Sequence, residues 1–287
     1  MSQTYTTAFI QQYQDNMMLL FQQGVSQFRG RVREQAAKGT RTYFDFLGPT
    51  SMFQRPGRHA PTQYVDSQHS RRYGNMSDWV WADLVDDVDT IRALIEPTSA
   101  YVQNAAMAGN RKIDELIVAA MDASANTGVD GSTPVSFPTG TNQIVDGGLG
   151  MTVSKFRTLK LKMDTAEVDP GSRNFAVSPT GIQDLLEDPQ VTSSDFNTVQ
   201  ALVQGTLNTY MGFDIFQTNR LDVAANIRKC WGWHTMSMGL LVGQNPMSRV
   251  SEMPDLNYST QVYFKLTMGA VRLIDEGVYQ VDIDESV

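Results

Sequence analysis

Between a short aromatic run, Thr42 to Leu47, and a pair of tryptophans, Trp79 and Trp81, the chain carries a long stretch that cannot fold on itself. From Pro49 to Asn75 it holds Pro49, Pro56 and Pro61, the arginines Arg55, Arg58, Arg71 and Arg72, both His59 and His69, and few aliphatic side chains. Such a segment buries too little apolar surface to offset the entropy lost on ordering. Structureless stretches of this length are uncommon inside a compact domain unless they are functional or dock elsewhere. As two extended arms of about 12 residues each, it would reach roughly 40 Å from the body. The segment is then either a disordered surface loop or an extension that the rest of the chain projects toward something it docks on.

Charge is segregated around it. From Arg29 to Arg72 nine Arg or Lys stand against Glu34, Asp45 and Asp66, a net of +6. The whole chain of 287 residues carries −8, so the remainder carries −14. That remainder opens with an acidic block of Asp78, Asp83, Asp86, Asp87, Asp89 and Glu96, relieved only by Arg92. Adjacent blocks of opposite sign suggest that one is the partner of the other, within the chain or between copies.

The body reads as α+β, because helices and strands are interspersed with no regular βαβ period. Phe9, Tyr13, Met17, Leu20, Phe21 and Val25 predict an amphipathic helix over Thr7 to Gln27. Thr42 to Leu47 reads as a strand, and Val85 to Ile95 as an acidic helix ended by Pro97. A longer helix is expected from Thr98 to about Ala125, its stripe formed by Val102, Ala105, Ala106, Gly109, Ile113, Leu116, Ile117 and Ala120. Thr127 to Thr141 reads as a loop or irregular hairpin. Helices are expected at Thr152 to Glu167, capped by Thr152, at Pro179 to Glu187, and from Ser194 or Asp195 to Gln204. Strands are expected at Asn174 to Ser178, Gly212 to Thr218, Ile227 to Trp233, Arg249 to Met253, Gln261 to Leu273 and Gly277 to Ile283. Val262, Phe264 and Leu266 alternate with Tyr263, Lys265 and Thr267 as in a half-buried sheet.

Motifs that carry chemistry are missing. There is no Gly-Lys-Ser or Gly-Lys-Thr, no His-Glu-x-x-His, no cysteine pair and no Gly-x-Ser-x-Gly. Gly147-Gly148-Leu149-Gly150 lacks the flanking pattern of a phosphate loop and reads as a hinge. His59 and His69 have no carboxylate or cysteine at ligand spacing, and His234 sits among Trp231, Trp233 and Met236. The single cysteine, Cys230, lies in an apolar stretch and reads as a small buried hydrophobe of a reducing compartment. No catalytic, cofactor or metal residue is therefore expected. The amino terminus lacks a secretory pattern and no apolar run reaches bilayer length, so a soluble cytoplasmic product without membrane contact is expected.

Several strings resemble a subfamily of tailed-bacteriophage major capsid proteins with the fold named for phage Hong Kong 97. These are His69-Ser70-Arg71-Arg72, Trp81-Ala82-Asp83-Leu84-Val85-Asp86-Asp87, Asp195-Phe196-Asn197-Thr198-Val199, Gly212-Phe213-Asp214 leading to Asn219-Arg220-Leu221, Tyr258-Ser259-Thr260-Gln261-Val262-Tyr263, and Gly269-Ala270-Val271-Arg272. Each string is short, and their order along nearly the whole chain carries the resemblance.

The resemblance implies an amino-terminal arm at 1–48, an extended loop at 49–76, a peripheral domain with a spine helix at 77–146, an axial domain at 147–226, and a return to the peripheral domain at 227–287. It also implies a non-enzymatic subunit that assembles with itself as hexamers and pentamers into an icosahedral head around the phage genome. Its place would be the virion, after synthesis in the bacterial cytoplasm. Scaffolding, portal and decoration proteins are candidate partners, and packaged DNA would be contacted non-specifically at most.

Family members lay the loop across a neighbouring subunit, so Arg55, Arg58, Arg71 and Arg72 are expected to meet Asp83, Asp86, Asp87 and Asp89 of an adjacent copy. Some members lock their shells by a Lys–Asn isopeptide bond, and this loop holds no lysine. An encapsulin-type shell would differ in enclosing an enzyme cargo. A DNA-binding accessory protein would show a phosphate-driven salt dependence. A hydrolase or transferase would need the motifs that are missing.

Overall fold

The computed structural model describes residues 22–39, 41–55, 57–85, 98–187 and 209–286. Three sheets and one long helix organise them. Strands β1 (Arg33–Ala36), β2 (Arg41–Leu47), β3 (His69–Asn75) and β4 (Ser77–Val85) come first, followed by helix α1 (Thr98–Asp122). Next are β5 (Ala125–Thr127), β6 (Thr133–Val135), the one-turn α2 (Thr139–Asn142), β7 (Gln143–Ile144), α3 (Val153–Thr165), β8 (Arg173–Val177) and α4 (Pro179–Glu187). The chain ends in β9 (Thr209–Tyr210), β10 (Phe213–Gln217), β11 (Val223–Ala224), β12 (Ile227–His234), β13 (Met238–Met253), β14 (Ser259–Arg272) and β15 (Val278–Asp284).

One sheet runs β1-β13-β14-β4, with β1 parallel to β13 and the other pairs antiparallel. Helix α1 lies against its inner face. The expected stripe is what it buries, since Ala105, Ile113, Ile117 and Ala120 are all closed to solvent. Gly109 lets the helix approach closely: a Cβ there would stand 2.7 Å from Cε1 of Phe264. From the sheet, Val262, Phe264, Leu266 and Met268 point inward and are buried, in the alternation the sequence carries.

A second sheet, β7-β15-β12-β8-β10-β9, holds the larger aromatic core. Phe156 of α3 packs edge-on to Phe175 of β8 and Phe213 of β10, with ring centroids 5.1 Å apart in both pairs. Trp231 and Trp233 are fully buried on β12. Each such side chain contributes about 1.5–3 kcal/mol on burial, so this cluster dominates the stability of the body. Thr152 caps α3 as expected, its side chain accepting the N–H of Lys155 at 3.3 Å. Segment 227–287 is thus shared between two sheets: β12 and β15 pair beside β8, whereas β13 and β14 pair beside β4.

The third sheet, β2-β3-β5-β6, roots the projecting segment. One expectation is corrected here and another is met. The extended segment is shorter than Pro49 to Asn75, because its last seven residues, from His69, form β3 and pair with β2. Of the two readings of Thr127 to Thr141 the irregular hairpin holds, since β5 and β6 pair antiparallel from Ala125 with Val135 to Thr127 with Thr133, and a helical turn follows. Pro134 is accommodated because β6 is an edge strand, where no ladder hydrogen bond is lost on the outer side.

Other boundaries shift as well. Helix α1 ends at Asp122, before Ala125 enters β5. Residues 22–27, expected to finish the first helix, are not helical, and Val25 is exposed. The remainder of that helix, the helix expected at Val85 to Ile95 beyond β4, and the one expected from Ser194 or Asp195 to Gln204 lie outside the described residues. Strand β13 begins at Met238, well before Arg249. Between Val242 and Met247 its pairing with β14 shifts register, a bulge that takes up Pro246.

Candidate assembly surface

The segment between β2 and β3 leaves the body at Gly48, whose N–H donates to the Gln68 carbonyl at 2.7 Å. Beyond that closing bond, residues 49–55 and 57–59 are all exposed, as are 61–66. Apolar side chains are exposed with the polar ones: Met52 is 101%, Tyr64 93% and Phe53 61% accessible. Side chains of this kind gather on a projection when a partner surface covers them. Arg55 donates to the carbonyl of Arg58, and both guanidinium groups are at the surface.

Arg71 and Arg72, by contrast, hold partners in their own subunit. They alternate on β3 and face opposite sides. Arg71 forms an exposed pair with Asp45 of β2 at 2.5 Å and lies over the ring of Tyr43. The hydrogen bond from Arg71 holds the Asp45 carboxyl below its ordinary value. Arg72 reaches inward to Asp275 at 2.5 Å. Asp275 also accepts from Arg272 at 2.7 Å, and Arg272 is completely buried.

On the acidic side, Asp83 is exposed on β4, the edge strand of the first sheet, where its carboxylate accepts the N–H of Leu84 at 2.9 Å. The exposed face of β4 carries Asp78, Val80, Ala82 and Leu84, while Trp79 and Trp81 pack toward the core. Asp86, Asp87 and Asp89 lie outside the described residues. The structure brings none of Arg55, Arg58, Arg71 or Arg72 into an ion pair with Asp83 of the same chain.

Sequence reasoning missed the buried polar groups that fix the body. Asp114, fully buried on α1, accepts the side chains of Gln23 and Ser26 and the backbone N–H groups of Gln27 and Phe28. Lys155 places its Nζ on the carbonyl oxygens of Leu149, Gly150 and Asp282, and burial pushes its pKa down. The Gly147-Gly148 pair in that loop is a turn with φ of 61° and 68°, closed by Asp146 on the N–H of Gly148. In sequence neither Asp114 nor Lys155 stands apart from the other charges of its helix. Arg272 alone left a signal, because it keeps the inward phase of Val262, Phe264, Leu266 and Met268.

Among the described residues no cluster of His, Cys, Asp and Glu could hold a metal ion, and no helix is long and apolar enough to cross a membrane. His59 and His69 are exposed on the projecting segment and at its root, and His234 accepts the N–H of Met236. Cys230 is buried, and burial pushes its thiol up to about 12.

A family profile described as phage capsid protein matches residues 5–285. The chain belongs to this family of phage capsid proteins. Solved capsids share the fold of this capsid protein despite little sequence identity. A subunit from the capsid of cyanophage Pam1 superposes with a TM-score of 0.73 at 13% identity, covering 99% of both chains. The capsid of Ralstonia phage GP4 gives 0.72 at 11% identity, over 99% of this chain and 98% of that one. The capsid of cyanophage P-SCSP1u gives 0.73 at 15% identity, over 95% and 92%. A search of curated protein sequences found no match.

Proposed function

We propose that this capsid protein is the major coat subunit of a phage head, assembling with itself as pentamers and hexamers into an icosahedral shell around the genome. Its work is structural, done in contacts between copies rather than by catalysis. The observation that carries the reading is the projecting segment, 48–68, which exposes Met52, Phe53 and Tyr64 beside Arg55 and Arg58 on a chain of a capsid family. On this reading 1–48 is an arm, 49–76 the intersubunit loop, 77–146 with most of 227–287 the peripheral part, and 147–226 the axial part. Synthesis in the bacterial cytoplasm fits a buried, unpaired cysteine.

The loop lies on an adjacent copy, where its basic residues meet the acidic residues Asp83, Asp86, Asp87 and Asp89. Because Arg71 and Arg72 are engaged at the root, the attraction falls on Arg55 and Arg58. Rim charges of this kind steer association and fix orientation more than they add affinity. Replacing both by glutamate, Arg55→Glu with Arg58→Glu, is expected to lower shell yield at low salt and to flatten its salt dependence. Yield and salt dependence equal to the unmodified chain would refute the docking.

A further inference from the structure

We propose that Arg72, Asp275 and Arg272 form a latch that sets the direction in which the projecting loop leaves the body. The small sheet at the root rests on a satellite cluster of Ala37, Phe44, Ala125, Leu241, Val271 and Leu273, separate from the main core. The hydrophobic driving force behind such contact is non-directional. The charged triad is directional. Arg72 sits on β3, opposite Phe44 of β2 and Thr127 of β5, so it is central to the root.

From there the triad reaches three other elements. Arg272 donates to the carbonyls of Met121 and Ala123 at 2.7 and 2.8 Å, closing the end of α1, which has no basic residue in its own last turn. Its other nitrogen donates to Val135 of β6 at 3.2 Å, and its guanidinium lies over Phe137 at 5.3 Å. Asn142 holds the backbone on the far side, donating to the carbonyls of Asp275 and Val278 at 2.6 and 3.0 Å. Asp275 thus stands between two cations, one fixed to the end of α1 and one fixed to the root of the loop. Each carboxylate oxygen takes one charge-assisted hydrogen bond, Oδ2 from Arg72 and Oδ1 from Arg272, so the two arginines are held on opposite oxygens of one group. Removing the carboxylate would leave two guanidinium groups facing each other where Arg272 is closed to water. Among the described residues Arg72 also has a buried Nη1 with no partner, so its hold on the body runs through Asp275.

The latch acts within one subunit, and only its consequence for assembly rests on the coat-subunit reading. Spin labels at Met52→Cys on the loop and Leu161→Cys on α3, both exposed positions, read the loop's direction. Cys230 stays unlabelled because it is buried, and excess unlabelled full chain restricts the readout to distances within one copy. The expected result is one narrow distance distribution that is lost on Arg72→Gln or Asp275→Asn, while the emission of buried Trp231 and Trp233 stays native. Arg72→Lys, which keeps the cation as a point charge on a flexible stem, should broaden it partially, and this variant alone carries the test if Arg72→Gln does not fold. A distribution already broad in the unmodified chain, or unchanged in these variants, overturns the latch. A narrow distribution lost as expected, together with failure of the Arg55 and Arg58 experiment, would leave the latch standing and remove only the docking.

Discussion

The carboxylate of Asp114, in the middle of α1, accepts the backbone N–H of Phe28 at 3.2 Å, tying the segment that precedes β1 to the spine of the subunit. Phe28 in turn stacks on Trp233, ring centroids 5.4 Å apart. One buried acid therefore places an aromatic side chain in the main core. Asp114→Ala should strand the donors it now satisfies, at about 1–3 kcal/mol for each buried group left unpaired. The expected outcome is a lower urea midpoint with faster tryptic cleavage at Arg29 and Arg31. Asp114→Asn, which keeps an acceptor, should lie between the two.

Gly109 tests how tightly α1 sits on the sheet. On an open helix, alanine in place of glycine would gain about 1 kcal/mol of helix propensity. Here the added carbon would meet the Phe264 ring at 2.7 and 3.0 Å, and overpacking costs about 1–3 kcal/mol. The clash wins, so Gly109→Ala should lower the melting temperature. An increase would mean that Phe264 yields readily.

Acid should loosen the carboxyl-terminal strand. Burial alone would raise the Glu285 carboxyl, but hydrogen bonds from Arg228, Thr180 and Ser178 outweigh it and hold it below its ordinary value. A lowered folded-state pKa gives stability that is present above the unfolded value, about 4.3, and lost as pH falls through the folded one. Urea midpoints should therefore drop below about pH 5, and Glu285→Gln should flatten that drop. Parallel curves for the two proteins would remove Glu285 from the account.

Cys230 should report global unfolding. Fully buried and raised to about 12, its thiol is shielded and protonated at neutral pH. Maleimide should react slowly with the native chain and quickly in urea, the rate following the loss of tryptophan burial. Fast reaction of the native chain would show that β12 opens locally.

What the sequence revealed was its periodic part. The stripe of α1, the cap at Thr152, the helix opened by Pro179 and the alternation around Phe264 are local patterns, and the structure keeps them. The first half of β13 was hidden because Gly243 to Pro246 carries turn chemistry that a bulge absorbs. Strand β6 lies in the stretch that reads as a loop or irregular hairpin, and it completes the hairpin with Pro134 tolerated at a sheet edge. The loop's root was less legible, since which arginines are free depends on partners distant in sequence: Arg72 is taken by Asp275, whereas Arg55 is not. No local pattern contains that information.

Copies of this chain are expected to form a closed shell in which the loop of one lies on its neighbour. Sedimentation and electron microscopy of the expressed protein test it most directly. The expected result is closed icosahedral particles in which density for residues 48–68 crosses a subunit boundary toward Asp83. Small monodisperse species under every assembly condition, or particles in which that loop folds back on its own subunit, would contradict it.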